Sequence, residues 1–236
     1  MIFDGIATLT FDCYGTLIDW EQGILTALRP LLSRGGPRDD EAALRDFAEC
    51  ESRQQAATPS MLYAELLTTV HGTLASHWGV AADAAEDARF GASIGDWPAF
   101  PDTVEALSYL KQHFQLVILS NVDRNSFQAS NARLGVTFDA IYTAQDIGSY
   151  KPDTRNFVYL LERLADRGVR RDQILHVAQS LFHDHAPANA MGLRSVWIDR
   201  RANAGGWGAT AAPPTDVRYD ARFTSLKALS AAHRDR

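Results

Sequence analysis

Apolar and β-branched residues crowd into Ile6-Ala7-Thr8-Leu9-Thr10-Phe11, then give way to a single carboxylate, Asp12, and the turn at Gly15-Thr16. Such a run, bounded by a turn, predicts a buried strand that ends in an acid. The period then changes. Ile24, Leu25, Leu28, Leu31 and Leu32 share one face of a helix over 20–32, which Ser33-Arg34-Gly35-Gly36-Pro37-Arg38 breaks. A second helical pattern covers 40–53. A third restarts at Thr58-Pro59 and carries Leu62, Leu66, Val70 and Leu74, and a short amphipathic piece follows over 81–90. No convincing strand lies between Leu17 and Trp97.

Beyond Trp97-Pro98 strands and helices alternate. A helix over 101–114 leads to the strand Gln115-Leu116-Val117-Ile118-Leu119, and a helix over 126–134 leads to a short strand over 140–143. The helix over 153–167, with Phe157, Leu160, Leu161 and Leu164 on one face, precedes a strand over 174–178; a helix over 186–191 precedes one over 194–198. Gly, Ala and Pro make 200–214 a loop, Phe223 suggests an edge strand, and 225–232 forms a last helix. Alternation of this kind predicts an α/β Rossmann-like parallel sheet with right-handed crossovers. The helical block separates the first strand from the others. The expected organisation is therefore a core of 1–16 and 98–236 with an inserted all-helical cap over 17–97.

A parallel sheet brings its strand ends to one edge, where ligands bind. Polar residues stand just past several of those ends: Asp12, Ser120-Asn121, Lys151, and Gln179 to His185. Each has a plain structural reading as well. Asp12 suits a turn or helix cap, Ser120 and Asn121 a loop cap, Lys151 a surface position before a proline-started helix, and Asp184 an N-cap for the helix at Ala186.

Composition narrows the partners. The 236 residues suffice for one domain with an insertion, and a net charge of −6 without a block of lysine or arginine argues against nucleic acid or anionic membrane. Cys13 and Cys50 are too few for a disulfide framework, and neither a signal peptide nor a membrane span is evident, so a cytoplasmic protein is expected. The expected partner is a small anionic substrate; a homodimer stays open.

Four motifs in order, Asp12-Cys13-Tyr14-Gly15-Thr16-Leu17, Leu119-Ser120-Asn121, Tyr150-Lys151-Pro152-Asp153 and, less closely, Ala178-Gln179-Ser180-Leu181-Phe182-His183-Asp184, resemble those of the haloacid dehalogenase superfamily. The resemblance implies that Asp12 is a nucleophile forming an aspartyl intermediate. Phosphatases of that superfamily carry a second aspartate two residues on, to protonate the departing alcohol, and hold magnesium with acids of the fourth motif. Here those positions are Tyr14, a poor acid, and Gln179, a neutral one. The first motif is similar instead to the L-2-haloacid dehalogenase (type II) branch, whose halide leaving group needs neither proton nor metal.

On that resemblance the catalytic residues are Asp12, Lys151 and Asp184. The substrate-binding residues are Thr16, Tyr14, Ser120, Asn121, Gln179, Ser180, His183 and a cap arginine for which Arg45 and Arg53 are the candidates, and no cofactor is implied. Magnesium enters only under the alternative of a phosphatase acting on a small phosphomonoester. Phe157 is either an aromatic near the pocket or a core residue. His183 is a candidate proton acceptor for the hydrolytic water, and His183-Asp184-His185 is a weak zinc pattern.

Overall fold

A computed structural model describes residues 2–81 and 83–236. Strand β1 (Thr8–Phe11) is fully buried and lies between two others, with Leu9 and Phe11 on one face and the threonines Thr8 and Thr10 on the other. Four helices follow: α1 (Trp20–Leu32), α2 (Asp40–Ala57), α3 (Tyr63–His77) and α4 (Ala84–Ala92). Asp19, Asp39 and Asp83 each cap the helix that follows them, accepting a backbone N–H with the side chain. The remaining elements are α5 (Thr103–Leu110), β2 (Gln115–Ser120), α6 (Arg124–Asn131), β3 (Ala140–Thr143), α7 (Ala144–Ile147), α8 (Arg155–Ala165), β4 (Ile174–Ala178), α9 (Ala186–Ala190), β5 (Arg194–Ile198), β6 (Ala221–Phe223) and α10 (Leu226–Arg234).

The six strands form one parallel sheet in the order β3-β2-β1-β4-β5-β6. The chain steps outward from β1 in one direction through β2 and β3, then in the other through β4, β5 and β6. The switch point therefore falls beside β1, and the crevice beyond the ends of β1, β2 and β4 is where this topology places a ligand.

The helical block leaves and rejoins the sheet at one place. Asp19 N donates to Pro98 O (2.8 Å) and Phe100 N to Leu17 O (3.0 Å), so the outgoing and returning strands run side by side. Trp97, buried against Gly23 of α1, packs its ring edge-on against Tyr14. One continuous apolar cluster includes Phe47, Leu66 and Phe90 from the helical block and Leu9, Phe11 and Ile118 from the sheet. The block is thus packed on the strand ends.

Sequence and structure differ in detail. Helix α2 runs on to Ala57, past the apolar pattern that fades at 53, because Gln54 to Ala57 are still good helix formers and Thr58 Oγ1 closes the end on Gln54 O (2.9 Å). Helix α3 starts at Tyr63, not at Thr58-Pro59. The stretch Leu181–His185, between β4 and α9, is one turn of π-helix. Among the described residues no helix is long and apolar enough to cross a membrane.

Candidate active site

Asp12 follows β1 directly and is 6% exposed. Beyond it Gly15 adopts φ +89°, and a Cβ there would sit 3.0 Å from Trp20 Nε1 and 3.1 Å from Gln179 Oε1. Only glycine meets both demands at low cost. The tight turn, closed by Leu17 N donating to Cys13 O (2.7 Å), swings Thr16 back so that its hydroxyl donates to Asp12 Oδ2 (3.0 Å). Thr16 Oγ1 also accepts from the backbone N–H of Gln179 (2.9 Å), which ties the end of β1 to the end of β4.

Lys151 is 1% exposed. Its ammonium donates to Asp12 Oδ1 (2.9 Å), Asp184 Oδ1 (2.7 Å) and Leu119 O (3.0 Å), so all three of its protons are engaged. Asn121 holds the lysine's backbone from both sides: its Nδ2 donates to Lys151 O (3.0 Å), and Lys151 N donates to its Oδ1 (2.7 Å). Behind Asp184, His176 Nε2 lies 3.0 Å from Oδ1 and Thr10 Oγ1 lies 2.8 Å from Nδ1. The ring thus bridges the threonine hydroxyl on one side and the carboxylate on the other.

Two carboxylates thus share one buried ammonium. Burial raises the Asp12 carboxyl above the usual range and Asp184 adds to this, while Lys151 and Thr16 pull it back. For Asp184 burial is outweighed by Lys151 and His176, which hold its carboxyl well below the usual range. Burial works against the Lys151 ammonium too, but its two carboxylates outweigh that and push it up. Asp184 therefore takes the charge compensation, and Asp12, anchored through both oxygens, is the more basic carboxylate and faces a cavity.

That cavity has a volume of about 30 Å³, near the room one water needs. Asp12, Lys151, Gln179, His183 and Asp184 line it from the sheet side; Glu51, Gln55 and Tyr63 line it from the helical block. Gln55, Lys151 and His183 also border an outer cavity of about 380 Å³, lined further by Phe182, Tyr150 and Arg155. Gln179 Oε1, His183 Nε2, Asp184 Oδ2 and Thr210 Oγ1 are buried polar atoms without a partner, and all four residues line the inner cavity. Orphaned polar atoms are uncommon in a settled core, and four in one small cavity leave hydrogen-bonding capacity facing it.

A model of the haloacid dehalogenase-like hydrolases matches residues 6–191, most of the chain and all the residues named at this cavity except Thr210. The protein belongs to that hydrolase family. It is 25% identical over 217 residues to (S)-2-haloacid dehalogenase 4A of Burkholderia cepacia, covering 85% of this chain and 86% of that protein. A ribulose-1,5-bisphosphate 5-phosphatase of Halopiger xanaduensis is 32% identical over 116 residues, 48% of this chain and 47% of its own length. Among solved structures, the L-2-haloacid dehalogenase of Xanthobacter autotrophicus with chloropropionic acid covalently bound aligns with a TM-score of 0.77. Its identity is 19%, and the alignment covers 97% of this chain and 98% of that one.

In this haloacid dehalogenase-like hydrolase, Asp12, Lys151, Asp184, Thr16, Asn121, Gln179, Ser180 and His183 all meet at the strand ends. Asn121 is engaged with the Lys151 backbone and so positions the lysine. Ser180 Oγ accepts from His183 N (2.9 Å) and starts the π-helical turn. Burial pushes the His183 imidazole down to about 4, which keeps it neutral at physiological pH. Tyr14 lines the cavity, but its hydroxyl is turned to α6, 2.7 Å from Ser130 Oγ, and burial pushes its pKa well up.

Three expectations are corrected. Arg45 is exposed on the outer side of α2, where it lines a separate groove with Trp207, so it does not reach the Asp12 cavity. Arg53 lines the same groove and pairs with Glu49. Ser120 is buried with an unpartnered hydroxyl but is not part of the cavity wall. Phe157, by contrast, takes the core reading of the two given to it, its ring packed edge-on against His176.

The sequence reading missed Trp20, Glu51, Gln55, Tyr63 and Thr210. Glu51 and Gln55 had one available signal: they continue the i, i+4 series of Ala43 and Phe47 along the buried side of α2.

The donor set is a poor cradle for magnesium. Asp184 Oδ1 is taken by Lys151 and His176, Lys151 Nζ sits between the two carboxylates, and Gln179 adds no charge. Among the described residues no group of three His, Cys, Asp or Glu side chains is arranged to hold a metal. His185 turns into the core, 2.9 Å from Ser195 Oγ and 3.1 Å from Ala178 O.

Proposed function

We propose that this hydrolase displaces halide from a 2-haloalkanoate. Asp12 attacks C2, the halide leaves with the bonding electrons, and the resulting aspartyl ester is hydrolysed by water at the Asp12 carboxyl carbon. The observation that carries this reading is the fate of the second residue after the nucleophile. An alkoxide leaving group needs a proton, and the only group at that position is Tyr14, whose hydroxyl is committed to α6. A halide is a stable anion and needs none.

Lys151 keeps Asp12 ionised and aimed, and Thr16 fixes the other oxygen, so that little reorganisation is left for the attack. Asp184, together with neutral His183, stands beside the ester for the water step. Similarity to (S)-2-haloacid dehalogenases over most of the chain supports the same substrate class. No step of this scheme passes through a metal.

A second reading, hydrolysis of a small phosphomonoester with magnesium, is favoured by the phosphatase relative over about half the chain. Gln179 and the lysine-filled gap between the carboxylates weigh against it. Ion chromatography of halide released from 2-chloropropionate, with EDTA present, separates the two. Release that persists in EDTA and is lost in Asp12→Asn supports dehalogenation. Phosphate release from an aryl phosphate that EDTA abolishes, with no halide released, supports the alternative.

A further inference from the structure

Opposite Asp12 the cavity is closed by the helical block, and the wall there carries Glu51 and Gln55 of α2 and Tyr63 of α3. No arginine lines the cavity, and its one lysine has no proton to spare. Glu51 is 2% exposed and accepts a hydrogen bond from the Tyr63 hydroxyl (2.5 Å). A displacement in line sends the leaving group away from the nucleophile, which here means from the sheet edge toward α2.

We propose that Glu51, as a protonated carboxylic acid, receives the departing halide by donating a hydrogen bond to it. The inference rests on the dehalogenase reading above. Asp12 forms the new bond to C2 and the carbon–halogen pair leaves with the halide. The Glu51 proton stays on its own oxygen, so charge and protons balance without another reactant. Ionised, Glu51 would instead present a negative charge to the leaving anion.

The surroundings favour the protonated form. Burial pushes the Glu51 carboxyl up to about 7, against the lowering effect of the Tyr63 hydrogen bond. The tyrosine hydroxyls around it stay protonated near neutrality. Burial pushes the Tyr63, Tyr14 and Tyr150 hydroxyls well up. On α2 itself Gln55 is neutral, and on the α1 side so is Trp20. Across the cavity stand the Asp12–Lys151–Asp184 network and His183, which is neutral above its depressed value of about 4. The Asp123 carboxylate near Tyr150 is held by Ser126 and by Ala64 N.

The test is the pH dependence of kcat/KM for bromide release from 2-bromopropionate, in the wild type, Glu51→Gln and Tyr63→Phe. In the wild type kcat/KM falls about tenfold per pH unit above the Glu51 midpoint. Glu51→Gln keeps a donor that cannot ionise; it is several-fold slower at low pH and loses that fall. Tyr63→Phe removes the bond that favours the ionised form and moves the fall to higher pH. A fall that persists in Glu51→Gln, or that Tyr63→Phe leaves in place, overturns the role given to Glu51 while the dehalogenase reading stands. A wild-type protein that releases no bromide at any pH overturns both.

Discussion

Replacing Lys151 with methionine removes the shared ammonium while keeping most of the side chain's volume. Asp12 and Asp184 then face each other inside the protein with no cation between them. Unit charges about 4 Å apart interact by about 4 kcal/mol at an effective dielectric constant of about 20. That corresponds to a rise of up to about 3 pKa units in the carboxyl that takes the proton. Asp12 is the group that yields, because burial already raises its carboxyl while His176 still supports Asp184.

A protonated Asp12 cannot attack, so the acid limb of kcat/KM moves to higher pH by that amount. At pH values below both midpoints activity drops by up to about 1,000-fold, and it recovers as pH rises. Breaking a buried pair on one side also costs about 3–5 kcal/mol of stability, so the assay belongs well below the variant's melting temperature. Halide release against pH reads the effect. An acid limb that stays in place refutes the role assigned to Lys151.

Arg45→Ala leaves kcat/KM within about twofold, since the side chain is exposed and outside the cavity; a larger loss in the halide-release assay contradicts the placement of α2. Gly23→Ala puts a Cβ 2.3 Å from Trp97 Cγ where the helical block meets the core. Overpacking of this kind costs about 1–3 kcal/mol, and thermal unfolding should show a melting temperature lower by about 2–12 °C. An unchanged melting temperature would mean that Trp97 does not pack there.

The nucleophile's half of the site was legible because most of its residues stand just past a strand end. Asp12 after β1, Asn121 after β2 and Gln179 after β4 are brought together by topology alone, and the apolar runs locate those strands without reference to distant contacts. Strands β3, β4 and β5 occupy the predicted positions for the same reason. The leaving-group half was not legible. Which face of α2 meets the core depends on how four helices dock, and Glu51 reads equally well as a solvated acid until α2 packs inward and Tyr63 donates to it. The π-helical turn was hidden too, since its register is set by Ser180 receiving both the His183 and His185 amides.

The central claim is that the Asp12 carboxylate, and not water, makes the bond to C2. A single turnover with excess enzyme in oxygen-18 water, followed by mass spectrometry of the peptide containing Asp12, tests it directly. The account predicts one heavy oxygen in the Asp12 carboxylate and an unlabelled hydroxyl in the product, because the ester is cleaved at the aspartyl carbon. Label in the product hydroxyl with an unlabelled Asp12 would contradict it.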